Sequence, residues 1–234
     1  MHKLIFSLLI IGLMVNVVIA QEDEKANIRI AHLSSDAGEV SITLSEDDTS
    51  VSQEIFDFGD VSDWEEVDPS VYSIAVQPAE DELDDTLLEV EVEVEAGDWI
   101  TVAVIGEVVK ETVAIQVLVE DYSPLDAFQS RLSVFHAIPN YDPVNVIVND
   151  VELIRYLGYP GFWGPDSDGF ITFDLLAQVS DVRVEQEGGD VTAELDDIVF
   201  GGNRHYFLAV AGVAADPQFV FVASDLELAS TEDE

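Results

Sequence analysis

The sequence has 234 residues, with 49 acidic against 8 basic side chains and a formal net charge of −41. A surface of that sign repels phosphate backbones and anionic headgroups, which argues against nucleic-acid partners and against binding to anionic membranes. It contains no cysteine, which removes thiol nucleophiles, Cys-ligated zinc and disulfide exchange, and leaves stability to the apolar core.

At the N-terminus, His2 and Lys3 precede an apolar run from Leu4 to Ala20 that ends Val18-Ile19-Ala20 and turns abruptly acidic at Glu22-Asp23-Glu24. Basic start, short apolar stretch and small residue at the boundary predict a cleavable export leader over residues 1–20. The run is interrupted by Asn16 and flanked by acids rather than by a basic stop-transfer sequence, so a membrane anchor fits less well. No second apolar stretch of membrane length follows, so the mature chain is expected to be soluble and extracytoplasmic, either periplasmic, at the cell surface or secreted.

The rest reads as strands. Leu88-Glu89-Val90-Glu91-Val92-Glu93-Val94-Glu95 alternates apolar and acidic residues, the pattern of a half-buried strand. Val40, Ile42 and Leu44 follow the same rule, as do Tyr72, Ile74 and Val76, and Val113, Ile115, Val117 and Val119. Ile100–Ile105 and Phe219–Ala223 are nearly continuous apolar runs and predict strands buried on both faces. Turn signals separate them: Asp36-Ala37-Gly38, Ala96-Gly97-Asp98, Asp168-Gly169, Gly188-Gly189-Asp190 and Gly201-Gly202-Asn203. The expected class is all-β: two tandem antiparallel β-sandwich domains, Ig-like or transthyretin-like.

Duplication is visible directly. Ile28-Arg29-Ile30-Ala31-His32 aligns with Leu132-Ser133-Val134-Phe135-His136, and at the same offset Val40, Ile42 and Leu44 fall on Val144, Val146 and Val148. Val102-Ala103-Val104-Ile105-Gly106 matches Leu208-Ala209-Val210-Ala211-Gly212, and Trp64 and Trp163 occupy comparable places. These alignments set a first repeat over 26–123 and a second over 130–226, joined by Ser123–Ser130, with an acidic, disordered tail over 227–234.

The stretch of a strand, then His32-Leu33-Ser34-Ser35-Asp36-Ala37-Gly38, then a Val-x-Ile-x-Leu strand resembles the family catalogued as domain of unknown function 4397. The second copy reads His136-Ala137-Ile138-Pro139-Asn140-Tyr141-Asp142-Pro143, with Asn140 in place of the family's aspartate, and the first lacks the family's prolines. Across residues 26–226 the resemblance implies an exported, often duplicated bacterial or archaeal β-sandwich, and brings no assigned chemistry with it.

Three sets of residues are candidates for chemistry. His32 and His136 end core-facing rows, and with Asp36 and Asn140 they are expected to brace the following turn, the Asx side chains bonding local amides; a ligand site built on His32 and Asp36 is the rival. Asp166 and Asp168, before Gly169, form half of a calcium loop without its remaining ligands, and Asp81, Glu82, Asp84 and Asp85 form a second acidic cluster. Calcium is therefore the one cofactor the sequence hints at, against a plain reading of solvated acidic loops. Tyr156-Leu157-Gly158-Tyr159-Pro160-Gly161-Phe162-Trp163-Gly164 is the densest aromatic segment, and Tyr156, Tyr159, Phe162 and Trp163 either cap the sandwich or form a glycan- or peptide-binding platform, with Trp64 and Tyr141 as further aromatic candidates.

Triad, zincin and phosphate-loop motifs are absent from the sequence, so catalysis is not expected. The two functions that remain are a structural or adhesion module at the cell envelope, and a binding module for an extracellular polymer, with calcium as a conceivable aid. They differ in one observable. A structural module packs Trp163 inward, whereas a binding module turns it to solvent beside a groove.

Overall fold

The computed structural model describes residues 24–79, 86–186 and 190–225. The expected leader, the Asp81–Asp85 cluster, the Gly188-Gly189 turn signal and the acidic tail lie outside the described residues. Among the described residues, each repeat supplies eight strands. In the first they are β1 Ala26–His32, β2 Val40–Glu46, β3 Thr49–Phe56, β4 Glu65–Val67, β5 Ser70–Pro78, β6 Leu88–Val94, β7 Trp99–Ile105 and β8 Ala114–Val119. In the second they are β9 Gln129–His136, β10 Val144–Val148, β11 Val151–Leu157, β12 Phe170–Leu176, β13 Val179–Gln186, β14 Val191–Val199, β15 Arg204–Val213 and β16 Asp216–Asp225.

The first repeat stacks a sheet of order β4-β1-β7-β8 on one of order β3-β2-β5-β6, and the second stacks β12-β9-β15-β16 on β11-β10-β13-β14. The all-β sandwich class expected from the two-residue periodicity is what the chain forms. Every ladder within a sheet is antiparallel except β1 with β7 and β9 with β15, which are parallel. A parallel pair needs a long crossover, and here the intervening strands of the opposite sheet provide it.

Alternating strands face one core each. Ile28, Ile30, Ile42, Leu44, Tyr72, Ile74, Val92, Val102 and Val104 fill the first sandwich, and Leu132, Val134, Val146, Val182, Tyr206, Leu208 and Val210 fill the second. The glutamates of β6 stay in solvent, and β6 is an edge strand, where like charges discourage pairing with another chain.

A third core joins the repeats. Ala31, Leu33, Ala103, Ile105 and Leu118 of the first pack with Phe135, Ala137, Phe207, Ala209, Ala211 and Val220 of the second. This explains why β7 is buried at every position after Trp99: one face serves the sandwich, and the other serves the seam. Alanines dominate the seam because two sheets approach closely only over small side chains. Phe219–Ala223 departs from expectation. It lies in β16, at the edge of its sheet, and of its residues only Val220 is buried, since an edge strand has a neighbour on one side alone.

Candidate functional site

The two histidines occupy equivalent, fully buried positions at the ends of β1 and β9. His32 Nε2 lies 2.9 Å from the Gly38 carbonyl and His136 Nε2 lies 3.3 Å from that of Asp142. A carbonyl only accepts, so Nε2 carries the proton in both. In keeping with that tautomer, His136 Nδ1 accepts from Ile138 N at 3.3 Å. Burial pushes both imidazoles below their ordinary value, and they stand as neutral braces across the turn rather than as bases open to solvent.

The Asx residues behave differently from the expectation of local capping. Asp36 accepts from Val108 N at 2.8 Å and Val109 N at 3.1 Å, and so fastens the β7–β8 loop instead of its own turn. Asn140, in the left-handed region at φ 55°, directs its amide to Glu107 Oε2 at 3.3 Å. Both turns therefore meet one loop, and Asn140 reaches it across the seam.

The segment after β11 is held by its own hydrogen bonds. Gly161 N donates to Ser167 O at 2.7 Å, Phe162 N to Tyr159 O at 2.9 Å, and Ser167 Oγ to Gly164 O at 3.0 Å. Trp163 donates its indole N–H to Tyr156 O at 3.0 Å, and meets Phe162 edge to face with ring centroids 4.8 Å apart. Despite these bonds the rings face outward: Trp163 is 63% exposed, Phe162 48% and Tyr156 41%. Next to them is an open depression of about 470 Å³ lined by Asn140, Tyr141, Asp142, Tyr159, Pro160, Gly161 and Phe162. Burial, with the Glu107 carboxylate nearby, pushes the Tyr159 hydroxyl up to about 12, so it remains a neutral hydrogen-bonding group.

The first repeat has a depression of about 490 Å³ at the corresponding turn, lined by Ala37, Gly38, Glu39, Asp57 and Pro78. No aromatic ring lines it. Trp64, the counterpart of Trp163 in sequence, turns instead into the seam. There it meets Trp99 and Tyr122 edge to face at 5.0 and 5.3 Å, and the Arg29 guanidinium lies 4.3 Å from its ring centroid.

Arg29 belongs to a sealed polar cluster that sequence reasoning missed. Its Nη2 lies 2.7 Å from Glu120 Oε1 and its Nε donates to Thr101 Oγ1 at 2.7 Å; Thr101 also bonds Glu120. His205 Nε2 sits 2.8 Å from Ser133 Oγ and 3.4 Å from Glu120 Oε2. Serine, histidine and carboxylate are thus together, but not as a catalytic triad. There the carboxylate orients the imidazole through the second nitrogen; here both partners crowd Nε2, and Nδ1 has none. All three are buried, and burial, then the nearby Arg29 and Arg131, drives His205 down to about 3. The available signal was Arg29 itself, a cation between Ile28 and Ile30 of a core strand in a cation-poor chain.

Asp168 Oδ1 accepts from Phe170 N at 3.1 Å and so closes the turn before β12. Neither it nor Asp166 joins a larger ligand set, and among the described residues no group of three or more His, Asp or Glu is placed to hold a metal ion. Among the described residues no helix is long and apolar enough to cross a membrane.

Paired sheets in each copy, a histidine-braced turn and a shared seam define a tandem β-sandwich protein. Residues 26–136 match the family model described as Domain of unknown function (DUF4397). No curated protein matches the sequence. Among solved structures, the chain is similar to the Bacillus anthracis TIE protein at 12% identity and TM-score 0.27, covering 81% of this chain and 34% of that one; it thus spans about a third of that protein's length. It is also similar to the C-terminally truncated tip fimbrial protein Mfa3 from Porphyromonas gingivalis at 8% identity and TM-score 0.30, covering 86% and 99% of the two chains. A candidate cell adhesion protein from Bacteroides uniformis is similar at 10% identity and TM-score 0.29, with coverage of 86% and 99%. Likenesses this distant carry no argument about function.

Proposed function

We propose that this chain is a non-catalytic, extracytoplasmic adhesion module that holds an extracellular glycan polymer against the aromatic loop of its second repeat. The observation that carries this reading is the outward-facing set Tyr156, Phe162 and Trp163 beside an open depression. Exposed aromatics on a preorganised loop are what a stacking platform requires, whereas rings that merely cap a sandwich pack inward. The sealed seam supports a rigid spacer that presents this loop, and the leader-like segment before Ala20 supports export. Strand addition of a peptide is less favoured here. The β10–β11 register breaks twice, and Asn145 Oδ1 takes the Tyr156 N–H at 2.9 Å, so the edge near the loop lacks a regular template.

The test is retention on insoluble cell-wall polysaccharides together with a glycan array, for wild type beside Trp163→Ala. Wild type should be retained, with apparent affinity falling about tenfold in the variant. Equal retention of the two proteins, or none of either, overturns the reading.

A further inference from the structure

The two depressions beside the histidine-braced turns are equivalents, because Gly38 and Asp142, which receive the two imidazole protons, occupy matching positions in the duplicated sequence. The second differs by its rings. Tyr141, Tyr159 and Phe162 line it, with Trp163 adjoining. It also carries the Asp142 carboxylate, which is exposed and has no basic partner among the described residues. Glu107, behind the Asn140 turn, is paired with Lys110 at 2.6 Å and holds the Asn140 amide, whereas Asp142 is the acid among the residues that line the depression. No Lys, Arg or His lines the depression.

From this we infer that the depression takes a cationic glycan: an amino-sugar oligomer bearing free ammonium groups. The inference rests on the glycan-binding reading above and names the class of glycan. Sugar rings present C–H faces that stack on aromatic rings, while an ammonium is attracted both to a ring face and to a carboxylate. A chain of net charge −41 concentrates cations and repels uronate-, sulfate- or phosphate-bearing polymers before contact is made. Charge complementarity thus selects among glycans that the rings alone accept equally. The volume, about 470 Å³, is in the range of small-ligand sites. Behind it stands the buried His136, with ring centroids 6.0 Å from Tyr141 and 6.4 Å from Tyr159, which braces the two tyrosine walls. The first repeat's depression, acidic through Glu39 and Asp57 but without rings, attracts cations and offers them no stacking surface.

The experiment is calorimetric titration of the full chain with three probes: a fully deacetylated glucosamine hexamer, its fully N-acetylated counterpart, and maltohexaose. Salt is held at about 150 mM, so that unspecific attraction to the acidic surface is screened. The deacetylated hexamer should bind at least about tenfold more tightly than the other two. Phe162→Ala and Asp142→Asn should each weaken it about tenfold, while leaving the weak binding of poly-lysine unchanged. Both residues are at the surface, so these variants are expected to fold, and thermal melting checks it.

Equal binding of the acetylated and deacetylated hexamers, with both lost in Phe162→Ala, overturns the cationic class and leaves the aromatic platform standing. Binding of the deacetylated hexamer that survives Phe162→Ala overturns the site, since the attraction is then that of the whole acidic surface. No binding of any probe overturns the inference; the earlier reading then stands or falls on polysaccharide retention with Trp163→Ala.

Discussion

The buried pair of Arg29 and Glu120 offers the sharpest test of how the two repeats are held. The side chains are 1% and 0% exposed. Replacing Arg29 by Met keeps the apolar bulk of the side chain but leaves the Glu120 carboxylate sealed in the seam without its cation. Breaking a buried pair from one side costs about 3–5 kcal/mol, because the remaining charge is neither solvated nor paired. Loss of the guanidinium from its position 4.3 Å from Trp64 and 5.0 Å from Phe207 adds about 1 kcal/mol. Since a domain's whole stability is about 5–15 kcal/mol, Arg29→Met is expected to fold but to unfold at much lower urea. Removing both charges is another matter: Arg29→Met with Glu120→Met should recover most of the loss, to within about 2 kcal/mol of wild type. Urea unfolding followed by tryptophan fluorescence reads this directly, since Trp64 and Trp99 lie in the cluster. A loss below about 1 kcal/mol for Arg29→Met, or a double variant no more stable than the single one, refutes the account of the seam.

Two further outcomes follow from the same packing. His205 is held down to about 3 by burial, then by Arg29 and Arg131, so the unfolded chain takes up its proton first, near pH 6.5. The stability present above that pH is lost as pH falls, by up to about 1.4 kcal/mol per unit. His32 and His136, also lowered, act in the same direction, while the Glu120 carboxyl, pushed up by burial against the pull of Arg29, acts in the opposite one. The gap in stability between wild type and His205→Gln should therefore narrow by about 2 kcal/mol between about pH 7 and about pH 5; a constant gap contradicts the assignment. At Gly106, where φ is +94° and an added Cβ meets the Thr112 carbonyl oxygen at 2.1 Å, Ala should cost more than about 2 kcal/mol. Gly38→Ala has the strain of φ +68° but open space around it and should cost about 1 kcal/mol; equal losses in thermal melts contradict the steric argument.

How much of this was legible in the sequence depends on which contacts are local. Parity along a strand is a local property, so the core rows through Ile28, Ile30 and His32, and through Ile42 and Leu44, could be read directly. The parallel pairing of β1 with β7 could not, because both strands are buried on two faces and burial alone fixes no register. The second apolar face of β7 was visible as an uninterrupted run, but its cause, another domain rather than another sheet of the same one, is set by residues of the other repeat. Trp64 and Trp163 make the limit plain. Their sequence surroundings look alike, yet Trp64 is drawn into the seam by Arg29, Trp99 and Tyr122, and Trp163 has no such partners. Likewise Asp36 and Asn140 read as local caps because Asx residues after a strand usually are, and nothing nearby in sequence announces the β7–β8 loop that they reach.

Duplication also explains where a binding site can arise in this fold. Fusing the repeats through β1, β7, β9 and β15 occupies one outer sheet face of each sandwich, and substitution there disturbs two domains at once. The histidine-braced turns lie at the strand ends, anchored from behind by an imidazole and in front open to solvent. Residues beside such a turn change without disturbing the core, because their backbone is already fixed. The two copies show both results of that freedom: Gly38, Glu39 and Asp57 in the first leave a bare acidic hollow, while Tyr141, Asp142, Tyr159 and Phe162 in the second add a stacking surface to the same hollow. A rigid pair with one aromatic end differs from two equivalent ends in a measurable way. It should bind one oligomer per chain, and the stoichiometry in the titration should be close to one.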